Sequence, residues 1–172
     1  MTWELAGYVL AGIPITILVT VGAIAIGSVV AVPILLARIS RWKSLRAAAA
    51  GLIALVRSIP PILWVFIAYF GIADVFFQMS PILSAIVVFG LIAAVNMAEI
   101  YRSGILAIPA GQWEAATALN FSATTTFVSV ILPQMIRVSQ PSAVTYLIGL
   151  TKDTAIASTI GVAEVAFRGN FA

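Results

Sequence analysis

The sequence predicts an all-α integral membrane protein, a bundle of helices that cross a lipid bilayer. Of its 172 residues 62% are hydrophobic and only 9% are charged. Soluble domains carry about 25% charged residues, so a chain this apolar belongs in a membrane. The apolar runs are long and continuous rather than alternating, which favours helices over a membrane β-barrel. The chain has no Cys and no His, which removes thiol chemistry and the commonest metal ligand and general base, and its net charge of +3 is too small to indicate nucleic acid.

The first apolar run covers residues 5–37 and is much longer than the ~20 residues that cross hydrocarbon. Residues 38–46 follow it and contain four basic residues and no acid. Short basic loops stay in the cytoplasm, so the amino terminus is predicted outside and the first helix runs inward. Contact with lipid headgroups explains this loop without any specific ligand.

A second span is interrupted at Arg57, Pro60 and Pro61. Proline lacks the backbone N–H and restricts the residue before it. Either one kinked helix crosses here, or an interfacial helix leads into a shorter span that ends near Asp74. An arginine at the bilayer centre costs about 2.5–3.5 kcal/mol on insertion scales. Arg57 is therefore expected to face a transport pathway, to anchor at the interface or to cap a helix.

The third predicted span, residues 81–98, has no charge and runs inward. It ends at Glu99 and Arg102, which are three residues apart and are expected to pair on one helix face. A gating role for this pair is the alternative to a purely structural one.

The longest polar-leaning interval is residues 108–133, which the order of spans places back in the cytoplasm. Pro109 suits the first turn of a helix, and Glu114 is expected near that helix's amino end, where the dipole favours an acid. Ser122 suits the N-cap of the next helix. We predict a short helix, a tight turn and a second helix that together dock on another protein. Trp113 would supply a large anchor beside a surface formed by Gly111, Glu114, Ala115, Ala116, Ala118, Leu119 and Asn120.

The fourth predicted span, residues 127–150, runs outward and contains Pro133 and Pro141, which are expected to kink it. Gln134, Arg137, Pro141 and Thr145 recur every three or four residues and form a polar stripe. A stripe that contains an arginine should face the bundle or a cavity rather than lipid. The stripe could equally line a pathway or form hydrogen bonds between helices.

The segment EAATALNFSATTTFVSVILP resembles the EAA loop of ABC-importer permeases, which reads EAA, three residues, Gly, nine residues, Ile, any residue and Leu-Pro. Glu114, Ala115, Ala116, Leu132 and Pro133 match it, whereas Asn120 replaces the Gly and Val130 replaces the Ile. Asn is the common substitute for Gly in the left-handed conformation, so the turn is expected to survive. The stretches RSIPPILWVFIAYFGI, AEIYRSGILAIPAGQWEAA and LTKDTAIASTIGVAEV also resemble the polar amino-acid (histidine/glutamine/arginine-type) branch.

The resemblance implies the transmembrane subunit of an ATP-driven importer of amino acids or related small polar solutes, working by alternating access in the bacterial cytoplasmic (inner) membrane as a multi-pass protein. Its coupling loop, about residues 103–125, would dock on a cytoplasmic ABC ATPase dimer that binds ATP and magnesium, because this chain has no GxxxxGK[ST] phosphate loop and no cofactor or metal site of its own. A second permease subunit, identical or paralogous, and a periplasmic or extracellular solute-binding protein would complete the importer. A self-sufficient channel or ion-driven carrier, or an intramembrane hydrolase, are the alternatives.

The family pattern also places residues 152–154 near the transport route. A zwitterionic amino acid needs a cation and an anion nearby, so Lys152, Asp153 and Thr154 join Arg57 and Arg137 as candidate pathway residues. A solvated turn with a local ion pair is the alternative for the last three. Permeases of this branch continue with a helix that returns to the cytoplasm, so residues 1–172 are expected to be a single permease domain that lacks its last span.

Overall fold

The computed structural model describes residues 2–72 and 79–171, and within them the regular structure is entirely helical. The all-α prediction is confirmed; the external turn predicted near Asp74 lies outside the described residues. The elements, in chain order, are α1 Thr2–Leu10, α2 Ile13–Arg38, α3 Lys43–Ser58, α4 Pro61–Phe66 with a π-helical continuation Ile67–Ile72, α5 Pro81–Leu106, α6 Ala110–Ala118, α7 Ala123–Thr125 with a π-helical continuation Thr126–Ile131, α8 Leu132–Asp153, a 3₁₀-helix Thr154–Ile160 and α9 Val165–Asn170.

Two helical segments of the described chain are long and apolar enough to span a membrane, Trp3–Arg38 and Pro81–Leu106. The bent pair formed by α3 and α4 makes a third if it counts as one span. Helix α8 occupies the predicted fourth span, but its polar stripe keeps it outside this group. The membrane bundle is therefore established, and a count of four spans stays a prediction.

Helices α2 and α5 form the centre of the bundle and run parallel. Gly27 packs directly against Ala93, where a Cβ on Gly27 would lie 2.5 Å from the Ala93 Cβ. One turn or so earlier Gly22 faces Ile86, and at the far end Arg38 contacts Glu99. Because residue numbers rise together along both helices, the first and third predicted spans cross in the same direction, as the charge pattern predicted.

Helix α8 packs antiparallel on the other side of α5. Its Ser139 hydroxyl donates to the Ile100 carbonyl at 3.3 Å and lies against Gly104, which has no side chain to block the approach. Further along, Leu150 joins the buried cluster around Phe89. The outward direction predicted for the fourth span agrees with this arrangement.

The two prolines of α8 have different effects. Pro133 lies in the first turn of α8, directly after the π-helical turn that ends at Ile131. A proline has no N–H to give to the preceding turn, and the helix widens where that hydrogen bond is missing. Pro141 lies inside α8, and the helix continues through it, so of the two prolines only Pro133 adjoins a change to π-helical geometry.

Helices α3 and α4 meet at an angle of 96° across Ile59 and Pro60. Helix α3 has 16 residues and would be about 24 Å long. If it crossed the membrane, its two ends would therefore lie at very different depths. Instead α3 begins five residues after Arg38, and its penultimate residue Arg57 lines a cleft together with Glu99, the partner of Arg38. Both ends of α3 thus lie at the same level of the bundle, which favours the interfacial-helix interpretation over a single kinked span.

The carboxyl-terminal elements close the opposite end of the bundle. Gly12, between α1 and α2, is so close to the backbone of Glu164 and Val165 that a Cβ would overlap it. Glu164 is buried and accepts hydrogen bonds from the amides of Ala166 and Phe167 at 2.8 and 2.6 Å, which caps α9. Arg168 lies over the Tyr8 ring, 5.0 Å from its centroid. Residues 155–167 are divided between the 3₁₀-helix and α9 and do not form one straight helix.

Candidate functional site

The helix α6 ends in a left-handed turn at Asn120. This residue has φ 58°, and it is the one non-glycine residue with positive φ in the described chain. Its amide donates to the Thr117 carbonyl at 2.9 Å, and the Phe121 amide donates to the Ala116 carbonyl at 3.0 Å. These two bonds form a Schellman motif, in which a left-handed residue satisfies the last carbonyls of a helix. The prediction that Asn120 preserves the turn is confirmed.

The turn is followed directly by a capped second helix. The Ser122 hydroxyl accepts a hydrogen bond from the Thr125 amide at 3.1 Å, so Ser122 is the predicted N-cap. Helix, left-handed turn and second helix therefore follow in the predicted order.

Three expectations about α6 are wrong. Pro109 is the N-cap with an extended backbone, so the helix begins at Ala110 and Glu114 is its fifth residue, beyond the first turn. The carboxylate therefore does not occupy the position where the helix dipole favours it most. Ala116 is only 3% exposed, because α6 packs that side against the π-helical segment Thr126–Ile131, so Ala116 cannot contact a partner.

The remaining predicted docking residues form an exposed surface on α6. Gly111, Glu114, Ala115, Ala118, Leu119 and Asn120 are all exposed. Leu119 is 67% exposed at the end of this surface, whereas the half-buried Trp113 lies on the side of α6 nearer Ala116, because residues are spaced at about 100° around a helix. We call the six exposed residues the α6 surface. Small side chains on one face of α6 let another protein approach its backbone closely.

Contacts with α8 and with the π-helical turn before it attach α6 to the membrane bundle. Ile108, which precedes α6, is buried with Ile131 and Met135. The Gln134 side-chain amide donates to Gln112 of α6 at 3.0 Å and to the Val130 carbonyl at 2.8 Å. A displacement of α6 would therefore be transmitted to the first turn of α8.

An ionic cluster lies where α2 and α5 end. Arg102 donates to both Glu99 carboxylate oxygens, with a shortest distance of 2.8 Å, and Arg38 donates to the same carboxylate at 3.2 Å. The Glu99–Arg102 pair is confirmed. Arg38 was not expected here, since its partner is 61 residues away and sequence spacing gives no signal at that distance. We call this level of the bundle the charged end.

A polar cleft of about 330 Å³ opens beside the charged end, between α3, α5 and α8. Its walls are Arg57, Asn96, Glu99, Ile100, Ser103, Ser142 and Tyr146. Of the predicted pathway residues only Arg57 is there. Asn96 was missed, although an amide side chain inside an otherwise apolar span is a signal of function. Ser142 and Tyr146 could be recognised only once the face of α8 that meets α5 was known.

The other predicted pathway residues are elsewhere. Arg137 is exposed and lies on the side of α8 opposite Met135 and Ser139, which pack on α5, because residues are spaced at about 100° around a helix. The polar stripe therefore does not face the bundle of this chain, contrary to expectation. The cause is the small Ser139 beside Gly104, which brings the other face of α8 against α5.

Residues 152–154 are divided between surface and interior. Lys152 and Asp153 are exposed, and neither forms an ion pair with any other described residue. Thr154 is 1% exposed, and its hydroxyl donates to the Thr151 carbonyl at 2.7 Å. Thr154 is thus a buried cap at the carboxyl end of α8, and in this conformation it cannot touch a solute.

The sequence resembles those of known proteins over most of its length. The family model of the binding-protein-dependent transport system inner membrane component matches residues 23–171. The chain is 37% identical over 158 residues to the probable amino-acid ABC transporter permease protein YckA of Bacillus subtilis (strain 168), covering 92% of this chain and 70% of that protein. It is 33% identical to the octopine transport system permease protein OccM of Rhizobium meliloti, covering 95% of this chain and 70% of the relative.

Solved structures share the fold. A crystal structure of an amino acid ABC transporter with histidines has a TM-score of 0.89 and 25% identity, over 99% of this chain and 79% of that chain. An inward-facing MetNI methionine ABC transporter has a TM-score of 0.74 at 23% identity, over 99% of this chain and 81% of that chain, which is a likeness of fold.

Proposed function

We propose a function from one premise: this chain belongs to the family of binding-protein-dependent transport system inner membrane components. It is, on this proposal, the transmembrane subunit of an ATP-driven importer of amino acids or closely related small polar solutes. The names of its relatives support the solute class, since they include permeases for L-cystine, arginine and octopine. It carries out no chemistry itself, and its partner ATPase binds ATP and magnesium.

The observation that carries the proposal is the exposed α6 surface, which is hydrogen-bonded to α8 through Gln112 and Gln134. A low-relief patch with Ala115 and Ala118 lies beside the exposed Leu119, on a helix that ends in the Asn120 turn. We assign this surface to docking on a cytoplasmic ABC ATPase dimer. Glu114, exposed in the middle of α6, would contact a basic or hydrogen-bonding group on that partner.

The polar cleft is the proposed part of the solute pathway. Arg57 is suited to a solute carboxylate, because a guanidinium binds carboxylates through two parallel hydrogen bonds. Asn96, Ser142 and Tyr146 supply neutral hydrogen-bonding groups on the facing walls. The exposed side of α8, with Arg137, would meet a second permease subunit, and the two chains together would enclose the pathway.

The path from α6 to the cleft is short and continuous. Gln112 on α6 is bonded to Gln134 at the base of α8, and two turns and more along α8 are the cleft residues Ser142 and Tyr146. If the ATPase dimer moved α6 as it closed, one wall of the cleft would shift relative to α5. Solute contacts that differ between the two positions would couple ATP use to alternating access.

The setting of this complex follows from the same proposal. The chain would lie in the bacterial cytoplasmic membrane, with the α6 surface inside the cell and a periplasmic or extracellular solute-binding protein at the opposite end. The basic segment 38–46, at the same end as α6, is on the side that positively charged loops favour.

Charge reversal at Glu114 tests the proposal. Glu114→Lys should release the ATPase from the membrane fraction while the permease stays inserted, because the docking surface loses its acid. The matched control is Glu4→Lys, the same reversal at an exposed position on α1, which should leave the ATPase bound. ATPase retention with Glu114→Lys equal to that of the wild type would refute the docking assignment.

A further inference from the structure

An apolar groove of about 410 Å³ lies between α2, α3, α4 and α5. Its lining residues are all aliphatic except Trp64, and they include Ile34, Leu52 and Val95. The Trp64 indole N–H is already bonded to the Val56 carbonyl at 3.1 Å. The groove therefore offers no free polar group, and whatever fills it must be apolar along its length.

One end of this groove meets the basic segment. Ile34 lies one turn of α2 before Arg38, and Leu52 follows Arg46 by six residues of α3, about 9 Å along the helix. Arg41 and Lys43 are exposed and form no ion pair with any described residue. The sequence has no Asp or Glu from residue 38 to 58, so positive charge at this end is not neutralised locally. This end of the groove would therefore attract a negatively charged headgroup.

We propose that this groove is a binding site for an anionic phospholipid, with an acyl chain along Val30, Leu52 and Trp64 and the phosphate on Arg41 and Lys43. Apolar length and terminal negative charge are properties that such a lipid combines in one molecule. The interfacial position of α3 places the basic residues at headgroup depth, where each Lys or Arg contributes attraction for anionic lipid. This site shares no lining residue with the polar cleft.

The occupant can be detected by quenching of Trp64. A variant with Trp3→Phe, Trp42→Phe and Trp113→Phe keeps Trp64 as its one tryptophan, since the chain has four. The full chain is reconstituted in phosphatidylcholine vesicles that contain a minor fraction of lipid brominated on one acyl chain, either phosphatidylglycerol or phosphatidylcholine. The site predicts stronger quenching by the brominated phosphatidylglycerol, and Arg41→Gln with Lys43→Gln should reduce that preference roughly tenfold or more.

A matched pair of substitutions tests the groove itself. Val30→Phe fills the groove and should remove the quenching by phosphatidylglycerol, whereas Val29→Phe on the adjacent, 72% exposed position should leave it unchanged. Equal quenching by the two lipids, unaffected by the charge substitutions, would show ordinary contact with bulk lipid and would overturn the proposal. So would a Trp64 that neither lipid reaches, the result expected if a second copy of the chain covers the groove.

Discussion

Asn120 replaces a glycine of the resembled motif and adopts the backbone conformation that the glycine would have. Its φ of 58° lies in the left-handed region, which Asn tolerates better than other residues with a Cβ. We expect Asn120→Gly to keep ATPase docking at the wild-type level. Asn120→Val should weaken docking, since a β-branched residue there is strained by about 1–3 kcal/mol. Co-purification of the ATPase with the permease measures both effects.

The control for this prediction is Thr117→Val, which places the same apolar side chain on the same exposed helix at a position without a left-handed φ. Its docking should resemble the wild type. If Asn120→Val docks as well as Thr117→Val does, the conformation of the turn does not determine docking.

Glu99 pairs with Arg102 on its own helix and with Arg38 on α2. The loss of Glu99 should therefore have a larger effect than the loss of either arginine. Glu99→Gln weakens the pairs to Arg38 and Arg102 together, whereas Arg102→Gln weakens one. The three side chains are 20–26% exposed, so each pair should contribute on the order of 1 kcal/mol rather than a full buried-pair energy. We expect a larger fall in thermal unfolding temperature for Glu99→Gln than for either arginine variant.

A double-mutant cycle isolates the contact between helices. Arg38→Gln combined with Glu99→Gln should be less destabilising than the sum of the single changes, because the second change removes a partner already lost. Strict additivity in thermal unfolding would mean that Arg38 and Glu99 do not interact in the membrane.

At the scale of helices, the close approach of α2 and α5 depends on Gly27. A methyl group there would overlap Ala93, and two packed backbones cannot move apart without opening the core around them. We expect Gly27→Ala to lower the free energy of unfolding by about 1–3 kcal/mol, as overpacking does. Gly51→Ala on α3 is the matched control, since nothing lies within 4 Å of its Cβ position.

The control should be neutral or slightly stabilising, by roughly 0.5–1 kcal/mol, because alanine favours a helix over glycine. Unfolding in mild detergent, followed by circular dichroism, compares the two variants. An equal effect of both would show that the α2–α5 contact is looser than the structure indicates.

The elements also show which features a sequence can predict. Features with a local signal were foreseen: the Ser122 cap, the left-handed Asn120, the Glu99–Arg102 pair and the break at Pro60. Features that depend on which faces meet were not. Ala116 and Thr154 resemble their exposed neighbours in sequence, yet packing buries both, and the stripe at Arg137 faces away because Gly104 lets α5 accept Ser139 instead.

For the whole molecule, charge pattern and span order predicted that α2 and α5 run parallel and α8 antiparallel, and the packing agrees. The polar cleft was only partly foreseen, because its walls come from three helices and a single sequence does not show which helices are neighbours. Asn96 was missed although it has a local signal, an amide side chain inside an apolar span. Neither the apolar groove nor the contact between Arg38 and Glu99 has a local signal in the sequence.

The pathway assignment can be decided by transport through the assembled complex. The permease, its ATPase and its solute-binding protein are reconstituted, and uptake of a panel of labelled amino acids identifies the solute. Arg57→Gln, in the cleft, should reduce uptake of that solute by about tenfold or more, since a charged hydrogen bond contributes about 1.5–3 kcal/mol. Basal ATP hydrolysis should not change, because the α6 surface is intact.

Arg137→Gln distinguishes the cleft from the polar stripe of α8. Both substitutions remove one arginine, but Arg137 is exposed on the side of α8 that faces away from the cleft. If the cleft carries the solute, Arg137→Gln should change uptake much less than Arg57→Gln does. The reverse order would place the pathway along the exposed side of α8, between this chain and a second permease subunit, and would refute the assignment of the solute to the cleft.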